Sequence, residues 1–233
     1  MATTLVLPCY NPPPAWEQHV VAAYRDFCER AGEQVELVIV MDGAISKETD
    51  SVLAFLEAGI PLLRIVRYEV NRGKGYALRQ GVRIASGEII IYTDIDFPYT
   101  MDSMYAVFEG LNKNEFDLGV GIKNGAYYAR VPFLRKIISR FLRMLIRLFL
   151  SMPVTDTQCG LKGFRRNVVP LFLQTTIDRY LFDLEFIRNC FRSKKFRVRA
   201  IPVTLNENVR FRSMDYRILL PEMLNFIKLI FKN

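Results

Sequence analysis

Short runs of apolar residues alternate with longer amphipathic segments along the first half of the chain. Five runs are rich in β-branched residues and lack a clean polar alternation, which is typical of strands buried on both faces of a parallel sheet. These predicted strands cover 3–9, 35–41, 62–68, 88–93 and 117–122. The segments between them predict helices over 15–31, 47–58, 76–85 and 101–112. This order predicts an α/β protein with an open, mostly parallel sheet and right-handed crossovers.

Ligands of such sheets bind beyond the carboxyl ends of the strands, so the residues there are the candidates for a site. Asp94 and Asp96 follow the fourth strand, and in strand geometry both carboxylates point to one side and can bind one divalent cation. An acidic turn without a ligand is the alternative hypothesis. Residues 71–75 follow the third strand and open a helix. Their two glycines and two cations fit an anion, and a tight turn with solvated charges is the alternative.

Two further strand ends carry candidate contacts for a nucleotide. Asp42 ends the second strand, where it either hydrogen-bonds a base or ribose or stabilises a turn at Gly43. Tyr10 follows the first strand in the rigid loop that continues through 11–14. Its ring either stacks on a base or packs against neighbouring residues as an ordinary tyrosine.

Composition excludes several other classes of protein. With 233 residues, 51% of them hydrophobic, the chain is not disordered and is long enough for one compact domain. Its one histidine excludes a histidine-rich metal site. Its four cysteines include no CxxC pair, which indicates reduced thiols and not a disulfide frame or a zinc site. The first residues do not resemble a signal peptide, and we therefore expect a protein that faces the cytosol.

The net charge of +8 is the average of two unlike halves. Residues 1–129 carry 11 Lys+Arg and 17 Asp+Glu, a net of −6, and residues 130–233 carry 21 and 7, a net of +14. A helix predicted over 132–152 gathers four cations in one stripe beside a wide apolar arc: Lys136, Arg140, Arg143 and Arg147. Central cations disfavour a membrane span, so the helix either lies at an anionic membrane surface or is a core helix with a solvated basic face. A second amphipathic segment covers 216–232.

Taken together, these segments resemble family 2 glycosyltransferases of the GT-A fold. The branch with the best match contains dolichyl-phosphate mannose or glucose synthases and bacterial polyprenyl-phosphate glycosyltransferases. The matching pieces are 7–13, 38–44, 71–96, 156–166 and 182–187, with a weaker match at 201–207. The resemblance implies a single GT-A domain over 1–233, with a Rossmann-like half at 1–129 for the nucleotide sugar and metal. It assigns the acceptor and the membrane surface to 130–233, the half with the basic amphipathic C-terminal helical extension.

The resemblance also implies roles for individual residues. Nucleotide contacts are implied at Pro8, Tyr10, Asn11, Asp42, Arg72, Gly73, Lys74, Gly75 and Asp94. Asp94 and Asp96 are implied ligands of Mg²⁺ or Mn²⁺, and Asp96, Asp156 and Gln158 are the catalytic candidates. The acceptor phosphate is assigned to Lys123, Arg135, Ser139 and Arg140. Asp156 is needed as a base only for a sugar hydroxyl acceptor, and otherwise it orients its loop.

Three positions depart from the family pattern. Pro12 stands where relatives often have an acid, which removes one expected nucleotide contact. Pro98 stands where a polar residue often follows the second acid, which removes a possible metal ligand. Lys123 stands where relatives often have an arginine, so any phosphate contact there is less bidentate.

The sequence therefore predicts an inverting, metal-dependent glycosyltransferase that moves a sugar from a UDP- or GDP-linked donor to a polyprenyl phosphate. We expect it at the cytosolic face of a membrane, bound peripherally to the anionic surface. Its expected protein partner is either an integral-membrane protein or a second copy of the chain. One alternative is transfer to a saccharide hydroxyl. Another is nucleic-acid binding by the basic half, which is disfavoured because its arginines alternate with aliphatic residues and not with exposed aromatics.

Overall fold

A computed structural model describes residues 2–43, 49–123, 133–150, 152–154, 156–207, 209 and 219–231, with the backbone alone at 49, 133–135, 219 and 220. Within these ranges the strands are β1 Thr3–Cys9, β2 Glu36–Asp42, β3 Leu63–Tyr68, β4 Ile89–Tyr92, β5 Leu118–Lys123, β6 Lys162–Arg165 and β7 Val198–Val203. The α-helices are α1 Trp16–Ala31, α2 Thr49–Gly59, α3 Lys74–Ile84, α4 Met101–Asn112, α5 Phe133–Leu150, α6 Val169–Leu173, α7 Phe182–Ser193 and α8 Leu219–Phe231.

All seven strands belong to one sheet with the order β3-β2-β1-β4-β6-β5-β7. The pairs among β1, β2, β3 and β4 are parallel, and so is the pair of β5 with β7. Only β6 among the described strands runs antiparallel, between β4 and β5. The predicted open, mostly parallel sheet is therefore confirmed, and each of the five predicted strands ends within one residue of its expected bounds.

Each face of the sheet has its own hydrophobic core. Helices α1, α2 and α4 cover the face that Leu5 of β1 enters, and α3, α6 and α7 cover the face that Val6 enters. Neighbouring residues of a strand point to opposite faces, so strands covered on both faces are apolar throughout. Helices α5 and α8 pack on the second core through Ile146, Phe226 and Leu229.

The two predicted halves of the chain are interleaved in this sheet. β5 belongs to the 1–129 half, yet the sheet connects it to β4 through β6, which belongs to the 130–233 half. The described strands of the two halves therefore share one hydrogen-bonded sheet, and their division into a donor half and an acceptor half stays a prediction about function.

Candidate active site

The loop that follows β3 is held by the carboxylate that ends β2. Asp42 is buried, and its Oδ1 accepts a hydrogen bond from the Arg72 amide at 2.6 Å. Its Oδ2 accepts from the Gly73 amide and from the Asn71 side chain, both at 2.9 Å. Three donors on one carboxylate fix the loop against the end of β2. The structure thus shows that Asp42 holds the loop after β3, which differs from the turn at Gly43 of the alternative hypothesis, and its contact with a base or ribose stays a prediction.

Tyr10 and Asn11 form an exposed rim beside this loop. Tyr10 is 54% exposed, so one side of its ring is available for a base, and stacking stays a prediction. Its ring lies against Gly43, where an added Cβ would meet Tyr10 Cε2 at 3.4 Å. Gly43 has a φ of 125° and Asn11 a φ of 45°, conformations that glycine and asparagine tolerate best. Pro8 is half-buried near the end of β1. The exposed ring is a flat apolar surface of the kind on which a base stacks.

The start of α3 packs against a second loop, residues 175–181. The Gly75 amide donates to the Asp178 carbonyl at 2.8 Å. A Cβ added at Gly73 would lie 2.6 Å from that carbonyl oxygen, and one at Gly75 would lie 2.5 Å from the Ile177 carbonyl oxygen. The close approach of the two backbones therefore requires both glycines. The Gly75 amide already donates its hydrogen bond to a protein carbonyl. The role that the structure shows for the two glycines is therefore packing, and their contact with a nucleotide stays a prediction.

The two cations of the first loop have different partners. The exposed Arg72 guanidinium lies 4.4 Å from the centre of the Tyr76 ring, which is a cation–π distance. Lys74 Nζ forms an ion pair with Asp94 Oδ1. Burial opposes the charged form of both groups, but their mutual attraction outweighs it. The pKa of Asp94 is therefore held below its usual range, with help from Lys162, and the pKa of Lys74 is raised.

Asp94 and Asp96 lie in a turn and not in a strand. β4 ends at Tyr92, and the Phe97 amide donates to the Asp94 carbonyl at 3.0 Å, with Phe97 at a φ of 43°. The expectation that strand geometry aligns the two carboxylates is therefore wrong, because the chain turns at Asp94. Asp94 is half-buried and Asp96 is exposed, and the Asp96 carbonyl oxygen lies 3.2 Å from His19 Nε2.

These two carboxylates are the donors that a divalent cation would find at this edge. Carboxylate oxygens suit hard cations such as Mg²⁺ and Mn²⁺. The Asp94 carboxylate pairs with Lys74, and Asp96 is an exposed residue. Among the described residues, no three His, Cys, Asp or Glu side chains lie together as a ligand set. The oxygen donors of Asp94 and Asp96 therefore suit a divalent cation in their chemistry, and its binding here stays a prediction.

The turn at 156–160 lies next to Asp94. Asp156 Oδ2 accepts from the Lys123 amide at 2.7 Å, and Lys123 Nζ donates to the Gln158 carbonyl at 3.0 Å. The Lys123 and Asp156 side chains are nearly buried and lie 3.9 Å apart. These contacts show the loop-orienting role that was the alternative to a general base. At the end of the turn, Gly160 packs so closely on Asp94 that an added Cβ would overlap Oδ2.

The sequence analysis missed a buried lysine beneath this turn. Lys162 lies in β6 opposite Tyr92 and has no exposed surface. Its Nζ lies 2.8 Å from Asp183 Oδ1 at the start of α7 and donates to the Cys159 carbonyl. The Tyr92 hydroxyl donates to the same Asp183 oxygen at 2.5 Å. Lys162 and Asp183 both lie in segments that carry the family resemblance, which was the available signal.

A second missed residue, Arg79, ties α3 to the 175–181 loop. Its guanidinium donates to the Ile177 carbonyl at 2.8 Å and pairs with Asp178, although the side chain is almost fully buried. Glu185 of α7 accepts from two amides of the same loop at 2.8 and 2.9 Å. The loop that covers the start of α3 is thus held from both sides.

The remaining predicted acceptor residues lie on α5. The Arg135 side chain lies outside the described residues, Ser139 is half-buried and Arg140 is exposed. Next to the basic stripe, α5 exposes apolar side chains at Ile137, Phe141, Met144, Leu148 and Phe149. On α8 the exposed apolar side chains are Met223, Leu224, Ile227 and Phe231. The same helix also buries Ile146 in the second core, so the contact of α5 with a membrane surface stays a prediction. None of the described helices combines the length and the apolar content needed to cross a bilayer.

Comparison with known protein families and proteins gives consistent matches. The family described as Glycosyl transferase family 2 matches residues 4–171. A dolichyl-phosphate beta-glucosyltransferase of Drosophila melanogaster is 28% identical over 204 residues, which are 79% of this chain and 61% of the relative. Glycosyltransferase AglD of Haloferax volcanii is 28% identical over 205 residues, 86% of this chain and 32% of the relative. The chain thus spans less than two thirds of the length of these relatives.

Solved structures match the fold at low sequence identity. Glucosyl-3-phosphoglycerate synthase from Mycobacterium tuberculosis, in complex with Mn²⁺, UDP and phosphoglyceric acid, has a TM-score of 0.69 and 16% identity. That match covers 98% of this chain and 77% of the other. Mannosyltransferase PcManGT from Pyrobaculum calidifontis, in complex with GDP-Man and Mn²⁺, has a TM-score of 0.58 and 20% identity. It covers 98% of this chain and 62% of the other.

Proposed function

Because the chain belongs to glycosyl transferase family 2 and has the GT-A fold, we propose that it transfers a sugar from a nucleoside diphosphate sugar to a polyprenyl phosphate. One observation carries the proposal. The Lys74–Asp94 pair and the Lys123–Asp156 turn meet at the carboxyl edge of the sheet, where Gly160 packs on Asp94. Groups that suit the donor diphosphate therefore lie next to groups that suit the acceptor phosphate.

The donor binds along the rim formed by the loops after β1 and β3. The exposed Tyr10 ring supports stacking of the base, and Asp42 keeps the backbone of 71–73 in place below it. Arg72 and Lys74 bring positive charge to the diphosphate. Structures similar in fold were solved with UDP and with GDP-Man, so either nucleotide is a reasonable probe of this rim.

Asp94 and Asp96 would hold Mg²⁺ or Mn²⁺. When bound, the ion supplies positive charge that stabilises the diphosphate leaving group. A phosphate oxygen of the acceptor attacks the anomeric carbon, and the bond from that carbon to the donor diphosphate breaks on the opposite side, which inverts the configuration. The acceptor phosphate is already ionised near neutral pH, so the reaction needs no general base. The bond from the Lys123 amide to Asp156 agrees with this chemistry, because it assigns that carboxylate to the loop.

The acceptor class is supported by two independent features. Matched relatives are named dolichyl-phosphate beta-glucosyltransferases. The α5 surface places Arg140 and Arg147 beside an exposed apolar arc, which suits a phosphate at the end of a long hydrocarbon chain. The same surface suits an anionic membrane, and we place the reaction at its cytosolic face.

A transfer assay tests the proposal. The chain is incubated with labelled UDP-glucose, UDP-GlcNAc or GDP-mannose, Mn²⁺, and either a polyprenyl phosphate or a free saccharide. We expect label in a lipid-extractable glycosyl phosphate that loses its sugar in mild acid. Transfer of label only to the saccharide would contradict the proposed polyprenyl phosphate acceptor and would support a saccharide hydroxyl as the acceptor. A third outcome is that the chain binds single-stranded RNA with a steep salt dependence and binds no nucleotide sugar. That outcome would contradict an enzymatic function and support nucleic-acid binding.

Replacing Asp96 tests the metal. Asp96 is exposed, and interactions of exposed charges contribute little to stability, so Asp96→Ala should change the free energy of unfolding by less than about 1 kcal/mol while transfer is lost. Removal of the cation with EDTA should abolish transfer by the unaltered chain, and added Mn²⁺ should restore it. Full activity of Asp96→Ala, or full activity in EDTA, would refute the metal role.

Vesicle binding tests the membrane surface. Each cation near an anionic bilayer contributes about 1 kcal/mol, so the double variant Arg140→Gln/Arg147→Gln should bind vesicles rich in anionic lipid roughly 30-fold more weakly. Arg25→Gln/Arg67→Gln removes the same charge from exposed positions on α1 and β3 and is the matched control. Equal binding by both double variants would contradict the assignment of this surface.

A further inference from the structure

The buried Lys162 joins three segments that meet beneath the candidate site. Its ammonium contacts Asp183 at the start of α7 and the Cys159 carbonyl in the 156–160 turn. On its third side the Lys162 ammonium faces the ring of Tyr92, and Nζ lies 5.5 Å from the centre of that ring. A lysine ammonium has three protons, and these three partners come from three different elements of the fold.

Stability alone is a poor explanation for this ion pair. Charges removed from water lose their hydration, and apolar residues of similar volume often replace a buried pair without loss of stability. The Lys162 side chain is 0% exposed and that of Asp183 is 6% exposed, so the loss of hydration is nearly complete for both. What an ion pair adds over apolar residues is a defined geometry, because its partners must stay within hydrogen-bond distance.

The segments joined by Lys162 carry the two sides of the site. Tyr92 is the last residue of β4, two positions before Asp94. Cys159 follows Gln158 and precedes Gly160, which packs directly on the Asp94 carboxylate. The Gly160 amide also donates to the Tyr99 hydroxyl at 2.9 Å. Through these contacts Lys162 links the 156–160 turn to the strand that leads to Asp94.

We propose that Lys162, paired with Asp183, is a positioning residue for the reaction that holds the 156–160 turn against Asp94. The proposal rests on the proposed function, since it concerns the placing of donor and acceptor groups. Its consequence is that loss of the pair slows turnover more than it weakens donor binding. The donor rim at Tyr10 and Asp42 is built from other elements and should keep its form.

Two variants separate positioning from stability. Lys162→Met alone leaves the buried Asp183 carboxylate without its ammonium partner, so the melting temperature of this variant should fall sharply. Lys162→Met/Asp183→Asn removes both charges at nearly constant volume and should recover most of that loss. We expect the double variant to keep donor KM within about threefold while kcat falls by roughly 10- to 100-fold, the range that a displacement near 1 Å produces.

The control is a second ion pair at the other end of β5. Asp117→Asn/Arg197→Met removes the contacts of Arg197 Nε and the Asp117 carboxylate at 3.1 Å, far along the strand from Lys123. It should change kcat by less than about twofold. A Lys162→Met/Asp183→Asn variant with the melting temperature and kcat of the unaltered chain would overturn the proposal.

Hydrogen exchange gives a readout that does not depend on activity. In the Lys162→Met/Asp183→Asn variant, the amides of 157–161 and of Lys123 should exchange about tenfold or more faster, while those of β2 stay protected. Unchanged exchange in the 157–161 amides would overturn the positioning role even if the variant were inactive. Failure of the unaltered chain to transfer any sugar would instead refute the proposed function, and the exchange result would still decide whether Lys162 holds the turn.

Discussion

Gly160 offers a direct test of how closely the 156–160 turn and Asp94 are packed. A Cβ added at this position would overlap Asp94 Oδ2, whereas ordinary contacts begin at 3.4 Å. The carboxylate must therefore retreat by roughly 1 Å, and a displacement of that size near reacting groups can cost about 100-fold in rate. For Gly160→Ala we expect kcat/KM for the nucleotide sugar to fall by 10- to 100-fold, or up to about 2.7 kcal/mol.

Stability should respond much less than activity to Gly160→Ala. The overlapping atom is the end of an aspartate side chain at the edge of the sheet, so its displacement strains the pair with Lys74 and not the packing of the hydrophobic core. Gly81→Ala is the matched control, because its Cβ would overlap Val6 Cγ1 in the core beneath α3. That overpacking should lower the free energy of unfolding by about 1–3 kcal/mol, partly offset by the better helix propensity of alanine.

Urea denaturation and steady-state kinetics on both variants complete the test. Gly160→Ala should be slow and stable, and Gly81→Ala should be less stable with an unchanged kcat/KM at a temperature where it stays folded. If Gly160→Ala turned over like the unaltered chain, the close packing of the turn on Asp94 would have no part in the reaction, and the positioning role of Lys162 would lose its basis.

Two further predictions concern stability. Asp42→Ala leaves three donors without their acceptor and should cost about 2–4 kcal/mol in urea denaturation, whereas Asp102→Ala, at an exposed carboxylate, should change stability by less than about 0.5 kcal/mol. The hydrogen bond from Arg197 holds the pKa of Asp117 in the folded chain below its ordinary value of 3.8. The pair therefore contributes its full free energy of stabilisation at a pH above 3.8, and this contribution is lost as the pH falls through the lower pKa of the folded chain. Asp117→Asn should therefore destabilise the chain by about 1 kcal/mol at pH 7, and the difference should shrink as the pH falls below about 3.8; a gap that is constant with pH would contradict the assignment.

Five strands were predictable from their runs of β-branched and apolar residues, although the edge strand β3 carries two arginines and has no buried residue. The other two strands were not predictable. β1 and β2 are buried on both faces, so each residue is selected for the core. β6 has four residues, including Lys162 and Gly163, and is a strand because two neighbours supply its hydrogen bonds. β7 contains a charged residue and a proline and is half exposed. Pairing partners far along the chain, and not local pattern, determine these two strands.

The residue types of the site were predictable, but their partners were not. Asp42, Lys74 and Asp94 follow strands at the expected edge of the sheet, and topology alone brings them there. The turn after Tyr92 was missed because the alternation of side chains in a strand was extended past its last residue. Lys162 was missed because lysine is normally exposed, and its burial depends on Asp183, which lies 21 positions further along the chain.

The position of β6 in the sheet also affects how the chain can fold during synthesis. β5 is completed about 40 residues before β6, and both of its pairing partners among the described strands, β6 and β7, emerge later from the ribosome. The parallel strands β1–β4 can assemble as soon as they emerge, which leaves the outer hydrogen-bonding edge of β4 open in the meantime. An open edge pairs readily with another chain. Slow translation between β5 and β6 should therefore favour aggregation of the nascent chain, whereas slow translation after β7 should not.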